Sequence, residues 1–129
     1  MRKREQVLAN KRAAERRGRR SETWAAMFLM AKGYRILGRR VRTHAGEIDL
    51  VARAPSGLVC FVEVKARAAQ DLAAEALGPR QQARIARAAA LFLARKPALA
   101  SKGMRFDVIM LAPRSWPKHI PDAWRPETG

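Results

Sequence analysis

Glu47-Ile48-Asp49-Leu50-Val51-Ala52-Arg53, then Ala54-Pro55-Ser56-Gly57, then Leu58-Val59-Cys60-Phe61-Val62-Glu63-Val64-Lys65-Ala66 is the stretch that decides the fold. Two runs rich in β-branched and aromatic residues flank four turn formers, which is the pattern of a β-hairpin with a short loop. Asp49 and Glu63 stand equally far from the loop centre at Ser56. Side chains alternate along a strand, so Glu47 and Asp49 share one face and Glu63 and Lys65 share one face of theirs. Ile48, Leu50, Val62 and Val64 are expected on the opposite side, in the core.

Upstream, Trp24 to Ala31 is apolar all round and predicts a helix buried on most faces, with Ser21 as its N-cap and Gly33 as its stop. Tyr34 to Arg42 alternates irregularly and predicts a strand, with Gly38 marking a bulge. Thr43-His44-Ala45-Gly46 turns the chain into the hairpin. Downstream, Ala68 to Leu77 predicts a loop with a short helical turn begun at Asp71. Pro79 opens a strong helix ended by Pro97, with an apolar stripe of Ile85, Ala88, Ala89 and Phe92. Arg105 to Leu111 predicts an interior strand because its second half is continuously apolar. The order helix, three strands, helix, strand is an αβββαβ core: an α/β fold with a mixed sheet flanked by helices. Residues 18–112 form this single domain. Residues 1–17 are a basic extension that buries little and is expected to fray, and residues 113–129 are expected to be an irregular tail rich in Pro and Trp.

The 129 residues carry 27 Lys and Arg against 11 Asp and Glu, a formal charge of +16. Nine basic and two acidic residues fall within the first 20. Such an excess is tolerated most easily beside a polyanion, so nucleic acid is the expected partner, DNA ahead of RNA. No apolar run approaches the roughly 20 residues that span a bilayer. Trp24 to Ala31 is also too far from the start for a secretory signal, so a cytoplasmic protein without membrane association is expected. Cys60 lies alone in an apolar run and reads as core. His44 and His119 are too few and too isolated for zinc.

Two carboxylates facing each other beside an ammonium are the minimum equipment for metal-assisted cutting of a phosphodiester. Magnesium, with manganese as a substitute, takes oxygen ligands and commonly only one or two protein carboxylates. Asp49 and Glu63 would supply these, with the Val64 carbonyl completing the shell. Lys65 would orient water or stabilise developing charge. Glu22 is a further candidate, since 22, 25, 26 and 29 lie on one helical stripe and a carboxylate there needs a partner. The structural alternatives are a solvated Glu63–Lys65 pair, a Glu22 that answers the helix dipole, and a Glu47 that pairs with neighbouring Arg or Lys. Asp107 suits structural pairing with Arg105. Arg80, Arg84 and Arg87 form a basic row on the second helix and, with Gln81, Arg40, Arg42 and Arg67, are candidates for phosphate contact. Trp116 and Trp124 would either stack on bases or pack.

The motifs Ser21-Glu22, Gly33 to Leu37, Arg39-Arg40-Val41-Arg42, Gly46 to Val51, Phe61 to Lys65 and Arg105 to Val108 resemble the YraN-type family of small bacterial endonucleases. That family is assigned to the restriction-endonuclease-like superfamily with the PD-(D/E)xK signature, and is similar to archaeal Holliday-junction resolvases. The resemblance covers about residues 18–112. It implies a restriction-endonuclease-like core, a magnesium site of Glu22, Asp49, Glu63 and Lys65, and endonuclease activity on DNA, including branched DNA. A homodimer would suit paired cuts on a four-way junction. The alternative is a nucleic-acid-binding protein, on structured RNA or DNA, that keeps the fold without turnover. Ser21 stands where relatives carry glycine, Ala66 where they carry threonine, and Gln81 where lysine is typical.

Overall fold

The structure, a computed structural model, describes residues 2–67 and 77–126. Its elements are α1 (Arg2–Ala31), β1 (Arg35–Thr43), β2 (Gly46–Arg53), β3 (Val59–Ala66), α2 (Pro79–Arg95), the single turn α3 (Pro97–Ala100), β4 (Met104–Leu111) and β5 (Lys118–Trp124). The strands form one mixed sheet in the order β1-β2-β3-β4-β5. β3 and β4 run parallel across the helical crossover, and every other neighbouring pair is antiparallel. The α/β class and the αβββαβ order are as the sequence predicts. The loop expected over 68–77 lies, save Leu77, outside the described residues.

The hairpin register follows the turn. Leu50 pairs with Val62 and Ala52 with Cys60, and the paired register ends there, one residue short of Asp49 and Glu63. Phe61, Val59 and Val51 pack with Ile85, Ala88, Ala89 and Phe92 of α2 in one core cluster. Leu50, Ala52, Cys60 and Val62 pack with Ala25, Ala26 and Leu29 of α1 in the other. Ile48 departs from expectation, because it joins the α2-side cluster while Leu50 joins the α1-side one. The strand's alternation therefore breaks at Asp49. Opposite this point β1 carries Arg40 at φ 50, left-handed backbone that a non-glycine residue adopts only at a cost. The bulge foreseen in β1 falls at Leu37, where the register shifts between Ile36 and Gly38.

Three further expectations are corrected. Ser21 is not an N-cap, since α1 runs without interruption from Arg2, and Thr23 Oγ1 donates to the Arg19 carbonyl inside it. The Arg, Lys, Glu, Ala and Leu of the first 20 residues are good helix formers, and that propensity outweighs the capping signal. Nor is the helix buried on most faces: Glu22, Ala25, Ala26 and Leu29 form one buried stripe, whereas Trp24, Met27 and Met30 are at least half exposed. α1 stops where predicted, with Gly33 at φ 89 and Tyr34 N–H donating to the Leu29 carbonyl. Finally, the segment expected to be irregular contains β5, which pairs His119 with Ile109 and Trp124 with Phe106. Pro121 is compatible with β5 because this is an edge strand, where the missing N–H costs no ladder bond. Among the described residues no helix is long and apolar enough to cross a membrane.

Candidate metal centre

Three elements converge on one acidic site. α1 contributes Glu22 from its buried stripe, β2 contributes Glu47 and Asp49, and β3 contributes Glu63 and Lys65. A carboxylate oxygen from each of Glu22, Glu47 and Asp49 lies within 4.8 Å of the others. Asp49 Oδ2 also accepts from the Val64 N–H at 2.8 Å, which binds the Asp49 side chain to β3 beside Glu63. Gln81 Nε2, from the first turn of α2, donates weakly to Glu63 Oε1 at 3.4 Å. The structure thus groups Glu22 and Asp49 with Glu47, while Glu63 falls outside that group and adjoins it through Asp49, with Lys65 and Gln81 at its side.

The charges of this site are poorly answered by the protein. Glu22 is 6% exposed, and its Oε2, like Glu63 Oε2, is buried without a hydrogen-bond partner. Burial and the neighbouring Asp49 carboxylate push the Glu63 carboxyl up to about 8, against the pull of Lys65 and Gln81. Burial likewise raises Asp49, although the Val64 N–H opposes the shift. Burial and then Asp49 raise Glu22, with Arg40 opposing. An unpaired buried carboxylate oxygen is costly, and the clustered oxygens of Glu22, Glu47 and Asp49 form a donor set that a hard dication would satisfy, with Glu63 adjoining through Asp49. The residues present therefore fit a divalent metal ion.

Arg40 supplies a counter-charge to Glu22 and Glu47. Its Nε lies 3.4 Å from Glu47 Oε1 and 3.7 Å from Glu22 Oε2, the latter beyond hydrogen-bonding reach. Arg42, largely exposed, lies 3.6 Å from Glu47 Oε2. Glu47 pairs with arginines as the sequence suggests, while also standing within the acidic group. Arg40, a candidate for phosphate contact from the sequence, thus stands among the carboxylates, at a left-handed backbone position. Arg80, Arg84 and Arg87 are all exposed on α2. Arg84 lies over the β1–β2 turn, so close to Gly46 that a Cβ there would stand 3.0 Å from Arg84 Cδ.

A second acidic residue is treated in the opposite way. Asp107 on β4 is fully buried and accepts four hydrogen bonds. Arg105 donates to both oxygens at 2.8 Å, the Asp122 N–H to Oδ1 at 3.0 Å and His119 Nε2 to Oδ2 at 2.8 Å. Lys32 Nζ lies 2.6 Å from His119 Nδ1, so the tautomer with hydrogen on Nε2 satisfies both contacts. Burial works to raise the Asp107 carboxyl, but these donors outweigh it and hold it at about 2. The pairing with Arg105 was legible as an i, i+2 pair; His119, Tyr34 and Lys32 were not, because only the tertiary fold brings them there. Trp124 stacks on Phe106 with ring centroids 4.1 Å apart and packs, partly buried, against the core, whereas Trp116 is 89% exposed.

A family model described as "Uncharacterised protein family UPF0102" matches residues 21–111. The chain is 56% identical over 114 residues to a UPF0102 protein of Parvibaculum lavamentivorans, covering 88% of this chain and 85% of that protein. It is also 56% identical over 117 residues to one of Paramagnetospirillum magneticum, covering 88% and 90%. A relative from Methylorubrum extorquens is 47% identical over 119 residues, 92% of each chain. The matched span begins at the residue before Glu22 and ends with β4, so it contains every side chain of the acidic centre, and the chain belongs to the UPF0102 family, the YraN-type family of the sequence resemblance.

Proposed function

We propose that this protein is a magnesium-dependent endonuclease acting on DNA. The observation that carries the proposal is the pair of buried carboxylate oxygens, Glu22 Oε2 and Glu63 Oε2, that lack a partner beside Asp49. Asp49, Glu63 and Glu22, with the Val64 backbone carbonyl, would hold the ion. When bound, it would supply Lewis-acid stabilisation of a phosphodiester and a more acidic water. Val64 N–H fixes Asp49, and Gln81 steadies Glu63. Lys65 follows Glu63 by two residues on the same strand face and offers an ammonium to the phosphate oxygens or to the attacking water. Arg80, Arg84 and Arg87, exposed on α2, and the +16 charge would attract the polyanion to the protein.

Purified protein should nick or resolve DNA in the presence of Mg²⁺, and Asp49→Ala or Lys65→Ala should abolish product while leaving DNA retention in a gel shift largely intact. Variants that cut as well as the parent would remove this centre from the reaction. Salt-sensitive binding with no product under Mg²⁺ or Mn²⁺ would instead mark a nucleic-acid-binding protein without turnover.

A further inference from the structure

Beside the acidic centre lies a cavity of about 780 Å³. It is walled by Arg20 and Trp24 of α1, by Arg67 just after β3, and by Arg114 and Trp116 in the segment between β4 and β5. Two of its lining residues are chain neighbours of the proposed site: Ser21 precedes the ligand Glu22, and Ala66 follows Lys65.

Its chemistry is unusual for a surface hollow. Trp24 is 64% and Trp116 89% exposed, whereas Trp124 is partly buried by stacking on Phe106. Large exposed aromatics clustered in one depression mark a recognition site rather than scattered surface residues. Three guanidinium-bearing residues surround them, so an occupant should be anionic at its edge and flat and apolar at its centre. A nucleotide whose base is free of its complement has these properties, whereas a paired base has no open face to offer. Trp24 falls one helical turn after Arg20, so a base against the indole leaves its phosphate near the guanidinium.

We infer that the Trp24–Trp116 cavity binds an unpaired base or short single-stranded segment of the nucleic acid, with Arg20 and Arg114 meeting its phosphates. The inference rests on the nuclease reading for the role of the neighbouring carboxylates, though binding itself requires no metal. It narrows the substrate to DNA with a single-stranded portion near the cut, such as a flap or a branch, because the cavity's lining includes the chain neighbours of Glu22 and Lys65.

The test is metal-free binding, in EDTA, of the full chain to a labelled duplex and to the same duplex bearing a single-stranded oligothymidylate flap. The parent should prefer the flapped DNA. Trp24→Ala and Trp116→Ala should each lose about 5- to 100-fold on it, in line with base–aromatic stacking, and change little on the duplex. Trp116→Phe should retain most of the preference. Indole fluorescence should be quenched by the flap in the parent and less so in each variant. Because both side chains are exposed, unchanged melting curves are expected for the variants. Equal affinity of the parent for both DNAs, or equal losses on both, would overturn the inference. So would conversion of a dimeric parent to monomer by Trp116→Ala, which would assign the face to a second copy of the chain. Flap preference without Mg²⁺-dependent cleavage would sink the nuclease reading alone, and cleavage without flap preference would sink this one alone.

Discussion

Asp107, fully buried, and Glu63, half-buried with one buried oxygen, are carboxylates on adjacent, parallel strands, and the protein treats them in opposite ways. Asp107 receives four donors and is held at about 2; Glu63 receives one weak donor, keeps a bare oxygen and is pushed up to about 8. Desolvation acts on both, so the difference lies in what the fold places around them. A carboxylate satisfied from within closes the sheet between β4 and β5. One left unsatisfied among other acids lowers stability for no structural return, and it persists where a ligand from outside completes it.

The largest test of this contrast is to remove each acid in turn. Asp107→Ala strands Arg105 and removes the acceptor that holds His119 and the Asp122 N–H, and breaking one partner of a buried pair costs about 3–5 kcal/mol. That is a large fraction of the total stability of a small domain. Asp49→Ala should leave stability unchanged or raised, because it relieves repulsion against Glu63 and Glu22, yet it should abolish stabilisation by Mg²⁺. Urea denaturation of both variants, with and without Mg²⁺, measures this. Equal losses would mean that the two sites are structural alike.

The pH dependence has opposite signs at the two places. Glu63 is raised from its ordinary 4.5 to about 8, so over that interval the folded state binds more protons than the unfolded one. Stability from this group is therefore present below about 4.5 and is lost as pH rises through about 8. Asp107 is lowered from 3.8 to about 2; its contribution is present above 3.8 and is lost as pH falls through about 2. Melting temperature followed from pH 5 to 9 should fall on the alkaline side in EDTA, and Glu63→Gln should flatten that slope. Mg²⁺ favours the ionised carboxylates, so it should stabilise most at high pH, by about 1.4 kcal/mol at ten times its Kd. A metal effect that is independent of pH, or unchanged in Glu63→Gln, would detach Glu63 from the site.

The contrast also explains what was legible in the sequence. The hairpin could be read because Pro55-Ser56-Gly57 sits between two clear strand runs, and turn length dictates register; Asp49 and Glu63 could be paired from spacing alone. The stripe of Glu22, Ala25, Ala26 and Leu29 was equally local. Arg40 was not legible, since a left-handed residue inside a strand has no compositional signal when it is not glycine. β5 was hidden by Pro117, Pro121 and Pro126, which argue against a strand everywhere but at an edge. The Asp107 cluster escaped because Tyr34 and Lys32 lie more than 70 residues from their partners, and only the closed sheet brings them together. The exposure of Trp24 was not legible either, because an all-apolar helical run does not say which face the sheet will cover.

The smallest expected effect concerns Arg40, the only internal cation that an ion pair ties to Glu22 among the described residues. Its backbone at φ 50 costs on the order of 1 kcal/mol in a non-glycine residue, and glycine would relieve much of that. Its ion pairs are partly exposed and long, at 3.4 and 3.7 Å, and together contribute under about 1 kcal/mol. Arg40→Gly should therefore alter stability by no more than about 0.5 kcal/mol, because two small terms of opposite sign meet, whereas Arg40→Ala loses the pairs and keeps the strain. Both substitutions remove a tethered positive charge that competes with a bound cation, so both should tighten Mg²⁺ binding several-fold in calorimetry. If Arg40→Gly weakened Mg²⁺ binding instead, the guanidinium would be holding Glu22 and Glu47 in place for the metal, and the acidic centre would resemble the Asp107 cluster more closely than its bare oxygens suggest.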